Sequence, residues 1–223
     1  MQSVLITGAN RGVGLALARH YHEAGWAVLG TCRCPAEEAA ELGEVATQVI
    51  DGLDVTRPED VARIARELGD RQLDLLINNA GLLQDEELGQ IDYDSLRQQM
   101  EINAYAPLRV TETLLDHLAS GSKVIHITSR MGSIEDNSSG GKYGYRASKA
   151  ALNAIGKSLA VDLAPRGIAV ALIHPGFVKT RMVGFGGLIS PEESAGGIAR
   201  RIEALTLENS GGFWHSNGEP LPW

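Results

Sequence analysis

Short apolar runs alternate along the chain with stretches in which apolar residues recur at the spacing of an amphipathic helix. The apolar runs predict strands over residues 3–7, 26–31, 47–53, 73–77, 123–128, 168–173 and 212–214. The intervening stretches predict helices over residues 13–24, 35–42, 58–68, 92–118, 143–163 and 191–207. Pro107 lies inside the longest of these and is expected to bend it, because proline lacks the N–H that an inner helical turn needs.

This alternation predicts an α/β protein with about seven strands in a mostly parallel, doubly wound sheet that carries helices on both faces. Nearly continuous apolar strands are typical of parallel sheets, whose strands are buried on both faces. The sequence shows no internal repeat or linker, so residues 1–223 are expected to form a single domain. Two Gly-rich segments, 130–142 and 179–190, follow predicted strands at the edge where such sheets bind ligands.

Composition and charge exclude several classes of protein. Hydrophobic residues make up 43% of the chain and charged residues 22%, which excludes a disordered protein. The balance of 20 Lys and Arg against 28 Asp and Glu gives a net charge of −8, so we expect no nucleic-acid partner. No apolar run approaches the roughly 18 residues that span a bilayer, and we see no signal peptide. We therefore expect no membrane association and a cytoplasmic location.

The cysteines and histidines predict neither a disulfide nor a metal site. Cys32 and Cys34 stand two residues apart, without easy bridging geometry and without a second Cys or His pair that could complete a zinc site. The six histidines are scattered along the chain. We expect free thiols in a reducing compartment and no bound metal.

A glycine-rich turn joins the first predicted strand to the first predicted helix. Gly8, Gly12 and Gly14 allow a tight turn and a close approach of the backbone to a pyrophosphate, and the helix N-terminus adds free N–H groups. A turn rich in glycine is also common for purely structural reasons, so this feature alone is weak evidence.

Arginines at the end of the second predicted strand indicate the type of dinucleotide. NAD-binding proteins usually carry an acid there for the ribose 2′-hydroxyl, whereas NADP requires a cation for the 2′-phosphate. This chain has Arg33, with Arg11 in the facing turn, and no acid before Glu37. Two guanidinium groups can hold a phosphate, so we predict NADP(H), although both could be ordinary solvated arginines.

Tyr145 and Lys149 form a candidate acid–base pair. Residues four apart on a helix are offset by about 40°, so both side chains share one face, whereas Tyr143 is offset by about 240° from Lys149. A phenol titrates near pH 10 and becomes useful at neutral pH when a nearby cation favours its ionised form. The same pairing also occurs by chance in structural helices.

Seven segments, in order along the whole chain, resemble the motifs of the short-chain dehydrogenase/reductase family. They are the turn at residues 7–14, Asp54 with Val55, Asn78 to Gly81, Asn103, Ser129, Tyr145 to Lys149, and residues 175–180. Residues 140–143 and 220–223 are similar to the C-factor-like, carbonyl-reductase-like branch. The resemblance implies a Rossmann fold that binds a dinucleotide, and transfer of a hydride between nicotinamide and a carbonyl or alcohol carbon.

The resemblance also implies roles for particular residues. Asn103, Ser129, Tyr145 and Lys149 are expected to be catalytic, with Tyr145 moving the proton and Asn103 anchoring a water that links Lys149 to solvent. The expected cofactor contacts are Gly8, Asn10, Arg11, Gly12, Val13, Gly14, Arg33, Asp54, Val55, Asn79, Ala80, Gly81, Tyr145, Lys149, Pro175, Gly176, Val178 and Thr180.

One departure concerns the serine. Ser129 lies sixteen residues before Tyr145, a longer gap than is usual in the family, which predicts a small insertion in the intervening loop. Ser133 lies twelve residues before Tyr145 but several residues past the predicted strand end. We therefore take Ser129 as the catalytic serine.

The expected substrate is a small hydrophobic aldehyde or ketone. Its pocket is predicted to include Leu82, Leu83, Met131, Gly132, Phe177, Met182 and Phe185. A dinucleotide-binding redox sensor or signalling protein with little turnover is an alternative, as is a sugar epimerase or dehydratase, although those usually have longer chains. The resemblance also implies a homodimer or homotetramer, with close packing allowed by Ala147, Ala150, Ala151 and Ala154.

Overall fold

The computed structural model describes residues 1–223. Seven strands form one sheet in the order β3-β2-β1-β4-β5-β6-β7, and every neighbouring pair is parallel. The strands are β1 (Ser3–Ile6), β2 (Ala27–Thr31), β3 (Gln48–Ile50), β4 (Leu73–Asn78), β5 (Leu118–Ile127), β6 (Ala169–His174) and β7 (Gly212–His215). The prediction of a doubly wound α/β fold is confirmed.

Seven α-helices cover the sheet on both faces. They are α1 (Gly12–Glu23), α2 (Ala40–Gly43), α3 (Pro58–Leu68), α4 (Tyr93–Met100), α5 (Ala106–Thr113), α6 (Tyr143–Leu163) and α7 (Pro191–Glu203). None of them combines the length and the apolar character needed to cross a lipid bilayer.

The core consists of two large apolar clusters, one on each face of the sheet. Alternate residues of a strand point to opposite faces, so Val4 and Ile6 join the cluster under α1 and α7 while Leu5 joins the cluster under α3, α5 and α6. The strand order reverses between β1 and β4, and ligands of open α/β sheets bind at the carboxyl edge of such a reversal.

The long helix predicted over residues 92–118 is interrupted. Asp92 caps α4 by accepting the main-chain N–H groups of Asp94 and Ser95, at 2.9 and 3.3 Å. A π-helical turn, Glu101–Tyr105, then separates α4 from α5, and a 3₁₀ turn follows at Leu115–His117. Pro107 provides no N–H for the carbonyl group four residues earlier, so a regular α-helix cannot continue through this segment.

Several other boundaries differ from the predictions. β5 begins at Leu118, which pairs with Leu73, and an irregularity in register follows before Lys123 pairs with Leu75. The predicted helix over 35–42 is a 3₁₀ turn followed by the short α2, and α7 ends at Glu203 rather than at residue 207. The element types agree with the hydrophobic pattern, and the differences lie at the ends of elements, where tertiary contacts decide the boundary.

Candidate active site

Three glycines shape the turn between β1 and α1. Gly8 and Gly12 adopt φ values of 65° and 56°, in the left-handed region that favours glycine. A Cβ atom at Gly14 would lie 2.3 Å from the Gly8 carbonyl oxygen and 2.5 Å from Asn79 Nδ2. A side chain at position 14 would therefore push the turn and α1 apart.

The first turn of α1 leaves its main-chain N–H groups available to a ligand. Arg11 holds the N-cap position without a capping hydrogen bond from its side chain, and no acidic residue lies in the first turn. Such N–H groups carry partial positive charge and bind phosphates. Asn10, Gly12 and Val13 lie in or beside the same turn, so the predicted set fits the pyrophosphate of a dinucleotide.

Asn79 ties the end of β4 to this turn. Its side-chain amide donates to the carbonyl oxygens of Thr7 and Gly8, both at 3.0 Å. The Thr7 hydroxyl in turn accepts the main-chain N–H groups of Asn79 and Ala80, at 3.0 and 3.1 Å. The predicted motifs at residues 7–14 and 78–81 therefore form one hydrogen-bonded unit.

Arg33 and Asp54 lie near one another at the predicted ribose end of the site. The Asp54 carboxylate accepts the Thr56 N–H at 2.9 Å and the Thr56 hydroxyl at 2.8 Å. Burial works to raise the pKa of Asp54, but these hydrogen bonds and the charges of Arg33 and Arg57 outweigh it and lower the pKa. Asp54 is thus ionised at neutral pH, while the Arg33 side chain remains exposed.

An open cleft of about 350 Å³ lies beside this pair. Its lining residues are Arg33, Asp54, Thr56, Arg97, Gln98, Glu101 and Ile102. Arg109 fixes this wall, because it donates to the Thr56 carbonyl oxygen at 3.2 Å and pairs with Glu101 at 2.8 Å. Sequence reasoning missed Arg97 and Arg109, since neither belongs to a recognisable motif and both come from a distant part of the chain.

Cys34 contacts the same region. Its Sγ accepts a hydrogen bond from Asn10 Nδ2 at 3.3 Å, and the Cys32 Sγ donates to the Cys34 carbonyl oxygen at 3.3 Å. Both cysteines are free thiols.

Ser129 and Tyr145 meet at the carboxyl edge of the sheet, directly beyond β5. Both are buried, Ser129 accepts the Met131 N–H at 3.1 Å, and the Ser129 side chain lies close enough to the Tyr145 phenol to lower its pKa. Ser133 points elsewhere: its hydroxyl donates to the Trp223 carbonyl oxygen and accepts the Asp136 N–H, both at 3.0 Å. Of the two candidate serines, the geometry brings Ser129 to the tyrosine.

The environment sets the protonation of Tyr145 and Lys149. Burial raises the pKa of Tyr145, and the neighbouring Ser129 side chain partly opposes this. Burial lowers the pKa of Lys149 to about 7, and its Nζ donates to the Ile127 carbonyl oxygen at 2.9 Å. Lys149 Nζ lies 5.9 Å from the centre of the Tyr145 ring. The expected lowering of the tyrosine pKa by Lys149 is therefore not seen among the protein's own groups, because desolvation dominates.

Asn103 lies in the π-helical turn and is completely buried. Its side chain exchanges hydrogen bonds with the main chain of Leu82, accepting the N–H at 2.8 Å and donating to the carbonyl oxygen at 2.7 Å. It also donates to the Ser148 hydroxyl at 3.0 Å. A Cβ atom at Gly81 would lie 3.3 Å from Asn103 Oδ1 and 3.8 Å from Lys149 Nζ. Gly81, just after β4, therefore lies next to both Asn103 and Lys149.

The segment 175–180 lies beside the turn that joins β1 to α1. The Pro175 carbonyl oxygen accepts the hydroxyl groups of Ser194 and Ser216, at 2.6 and 3.1 Å. Gly176 has a φ of 91°, and Val178 is buried. A Cβ atom at Gly12 would lie 3.3 Å from Thr180 Cγ2, so the segment lies against the glycine-rich turn at residues 8–14, which we call the phosphate turn.

The residues predicted to line a substrate pocket fall into two groups. Leu82, Leu83 and Met131 are half-buried and Gly132 is buried. The aromatic and methionine side chains of the loop after β6 are instead exposed, with Phe177 at 50%, Met182 at 45% and Phe185 at 68% of their surface. The second group therefore forms an exposed apolar rim rather than a closed pocket.

The buried histidines near the site are neutral. Burial and the nearby Lys149 lower the pKa of His126 to about 3, and burial followed by the charges of neighbouring groups does the same for His174. No three His, Cys, Asp or Glu side chains cluster in a way that could hold a metal ion.

The chain is similar to known proteins in both sequence and structure. Residues 2–185 match the short chain dehydrogenase family. A protein of Rhodococcus sp. (strain AD45) is named 1-hydroxy-2-glutathionyl-2-methyl-3-butene dehydrogenase. The chain is 40% identical to it over an alignment of 229 residues that covers 100% of both chains. It is 44% identical over 154 residues, 68% of this chain and 93% of the other, to the C-signal protein of Myxococcus xanthus.

The fold is similar to the crystal structure of NADPH-bound carbonyl reductase from chicken fatty liver. The TM-score is 0.92 at 31% sequence identity, covering 100% of this chain and 99% of that one. These similarities support redox chemistry between carbonyl and alcohol groups of small molecules with a nicotinamide dinucleotide. The chain belongs to the short-chain dehydrogenase/reductase family and is one of its oxidoreductases.

Proposed function

We propose that this protein is an NADP(H)-dependent carbonyl reductase that acts on small hydrophobic aldehydes or ketones, with residues 1–223 forming one catalytic domain. The observation that carries the proposal is the convergence of Ser129, Tyr145, Lys149 and Asn103 beyond the carboxyl ends of β4 and β5. A protein that only bound a dinucleotide would have no chemical need for this set.

A nicotinamide dinucleotide, held by the turn between β1 and α1, would supply a hydride for the carbonyl carbon. Ser129 and Tyr145 hold the carbonyl oxygen of the substrate by hydrogen bonds, which strengthen as negative charge develops on that oxygen. Tyr145 then transfers its proton to the oxygen. The raised pKa of Tyr145 supports this direction, because it keeps the phenol protonated at neutral pH.

Lys149 and Asn103 serve the return of the proton to Tyr145. An amine with a pKa of about 7 is present in both protonation states at neutral pH, so Lys149 can both take up and release a proton. The main-chain carbonyl group of Asn103 receives no N–H from Pro107, four residues later, and in this proposal it holds a water molecule.

The preference for NADP(H) over NAD(H) rests on Arg11 and Arg33. Both side chains are exposed, one beside the phosphate turn and one at the end of β2. The acid of this region, Asp54, accepts hydrogen bonds from Thr56, so it does not replace the arginines as the group beside the 2′-position.

We further propose a homodimer or homotetramer that uses the faces of α4, α5 and α6. Ala147 and Ala154 are exposed on α6. Tyr105 and Leu108 are exposed on the segment formed by α4 and α5. Small side chains allow helices to approach closely. The mass of the protein in solution tests this proposal.

The proposed activity is tested with a panel of hydrophobic aldehydes, ketones and quinones. We expect consumption of NADPH with at least one member, and transfer of deuterium from NADPH labelled at C4 to the carbinol carbon of the product. Absence of turnover with the whole panel, in protein that binds NADPH, would overturn the proposal.

One alternative is favoured by a specific observation. The 44% identity to the protein named C-signal supports a signalling protein that binds the dinucleotide with little turnover. The panel separates the two readings, because a signalling protein binds NADPH without oxidising it.

A further inference from the structure

A carboxylate that the proposed mechanism does not use is buried beside the start of α6. Glu86 belongs to the β4–α4 loop, residues 79–92, and only 8% of its surface is exposed. A buried carboxylate is costly unless several donors satisfy it, so its partners indicate what it does.

Two N–H donors, one from α4 and one from α6, converge on Glu86, and a hydroxyl group of α4 lies beside them. The main-chain N–H of Gly144, in the first turn of α6, donates to Oε2 at 3.1 Å. The Ser95 hydroxyl lies 3.1 Å from Oε1, and the Gln99 amide donates to the same oxygen. Glu86 thus joins its own loop to α4 and to α6.

Gln99 holds the other side of this cluster. It is completely buried, and its Oε1 accepts the Gln84 N–H at 3.1 Å. The Ser95 hydroxyl has one proton and donates it to Gln84 Oε1, the nearer acceptor, at 2.6 Å. One hydrogen-bonded cluster is therefore formed by Gln84, Glu86, Ser95 and Gln99.

Glycine at position 144 is what lets this cluster approach α6. A Cβ atom there would lie 2.7 Å from Gln99 Nε2 and 2.8 Å from Glu86 Oε1. Lys142, which precedes α6, has a left-handed backbone and gives no capping hydrogen bond. Glu86 supplies an acceptor and a negative charge to this N-terminus, where N–H groups lack partners within the helix.

A second contact between the same elements lies at the surface. Lys142 forms an ion pair with Asp85. The Asp85 side chain is 71% exposed and the Lys142 side chain 36%, and ion pairs in contact with solvent contribute little. The interior contact through Glu86 is therefore the one that fixes the register of the loop and the helix.

We propose that Glu86 is a positioning residue for the reaction, which holds the first turn of α6 so that Tyr145, the next residue after Gly144, is aligned with Ser129. This inference rests on the proposed function, because Tyr145 is the proton donor in it. Small misplacements of a reacting group cost on the order of 100-fold in rate, so the loss of this contact acts on turnover more than on cofactor binding. The phosphate turn does not touch the cluster.

The test compares Glu86→Gln with Glu87→Gln, a matched change at an exposed glutamate of the same loop. The side-chain amide of Gln at position 86 has one acceptor and one donor end. In one orientation its NH₂ group faces the Gly144 N–H, and in the other it faces the Gln99 NH₂ group. Either way, one donor faces another donor. We expect kcat to fall about 10- to 100-fold in Glu86→Gln. The Kd for NADPH should stay within about twofold, and the deuterium isotope effect on kcat should increase. Glu87→Gln should match the wild type.

The double variant E86Q/Q99E exchanges the amide and the carboxylate. The amide at position 86 then donates to the carboxylate at position 99 and accepts the Gly144 N–H, while that carboxylate still accepts the Gln84 N–H. We expect most of the lost kcat to return. This variant also keeps the test decisive if Glu86→Gln alone folds poorly.

Amide hydrogen exchange gives a readout that is independent of turnover. Exchange of residues 143–149 should become faster in Glu86→Gln and return in the double variant, while exchange in α1 stays constant. If the wild type reduces no carbonyl, the proposed function fails, and exchange in α6 still decides whether Glu86 fixes the helix. Unchanged kcat and exchange in Glu86→Gln, equal losses of kcat and NADPH affinity, or no recovery in the double variant would overturn the inference.

Discussion

At the phosphate end of the site the groups that face a ligand belong to the main chain, whereas at the reacting end they are buried side chains. The phosphate turn consists of left-handed glycines and uncapped N–H groups beside exposed arginines. At the reacting end Ser129, Tyr145 and Lys149 are buried. The first end depends on backbone shape and is insensitive to pH. The second depends on desolvation, which shifts the pKa of both Tyr145 and Lys149.

Mutations at the two ends should therefore have separate effects. Changes at the reacting end are expected to affect turnover and pH dependence, and changes at the phosphate end are expected to affect dinucleotide affinity.

Replacement of Tyr145 by Phe removes the proton donor and leaves the ring in place. We expect turnover to fall by about 1,000-fold, within the range of general acid catalysis. Dinucleotide affinity, measured by NADPH fluorescence, should change less than about threefold. The control is Tyr143→Phe, two residues earlier on the same helix and partly exposed, which should retain turnover. Turnover of Tyr145→Phe within a few-fold of the wild type would contradict the assignment.

Lys149 should make stability depend on pH in a defined window. Its pKa is 10.5 in an unfolded reference and about 7 in the folded protein, so between these values the unfolded chain binds more protons. Lys149 should therefore contribute a rise in the free energy of unfolding as the pH increases from about 7 towards 10, while the raised pKa values of Cys32, Tyr21 and Tyr145 act in the opposite direction. This contribution is on the order of 3 kcal/mol, and it should be absent in Lys149→Met.

Denaturant unfolding at pH 7, 8, 9 and 10 measures this slope without any dinucleotide. Lys157→Met is the matched control, since Lys157 lies on the same helix and is exposed. That variant should follow the wild-type curve. An identical slope in Lys149→Met and the wild type would show that the ammonium is not desolvated.

Gly14→Ala should affect the other end. The added methyl group would overlap the Gly8 carbonyl oxygen and the Asn79 amide. We expect a stability loss of about 1–3 kcal/mol and a fall in NADPH affinity of roughly 10- to 100-fold, because the turn must move. Gly43→Ala provides the control, since nothing lies within 4 Å of a Cβ atom there and its backbone is helical. Wild-type affinity in Gly14→Ala would argue against a phosphate site at this turn.

Arg33→Ser should change selectivity between dinucleotides by about 10-fold. The loss of one charge-assisted hydrogen bond to a 2′-phosphate weakens NADPH binding and leaves NADH binding nearly constant. Isothermal titration with both dinucleotides measures the ratio. Arg66→Ser, at an exposed position on α3, should leave the ratio as it is. Equal losses for both dinucleotides would assign Arg33 to a part of the ligand that they share.

These two ends also differ in how far the sequence predicts them. The phosphate turn follows from Gly8, Gly12 and Gly14, because glycine spacing directly reports left-handed or crowded backbone. The seven strands follow from apolar runs for a similar reason, since burial on both faces leaves a local pattern. The structure confirms the predicted fold.

The reacting end could be predicted only in part. Motif resemblance pointed to Ser129, Tyr145, Lys149 and Asn103, but the pKa of Lys149 depends on how much protein surrounds it, which no local pattern reports. Glu86 was missed because a single glutamate in a loop has no signature, and its donors come from α4 and α6. The break in the helix over 92–118 was expected as a bend at Pro107, whereas the structure has a π-helical turn at residues 101–105, before the proline.

That turn makes the number of residues between α4 and α5 as important as their identity. A π-helical turn holds one residue more than the α-helical hydrogen-bonding pattern allows. Loss of a single residue from 101–105 would remove that extra residue, and everything on its amino-terminal side would rotate by about 100° relative to α5. The Asn103 amide would then swing away from Leu82. Homologous chains should therefore keep the length of this stretch unchanged.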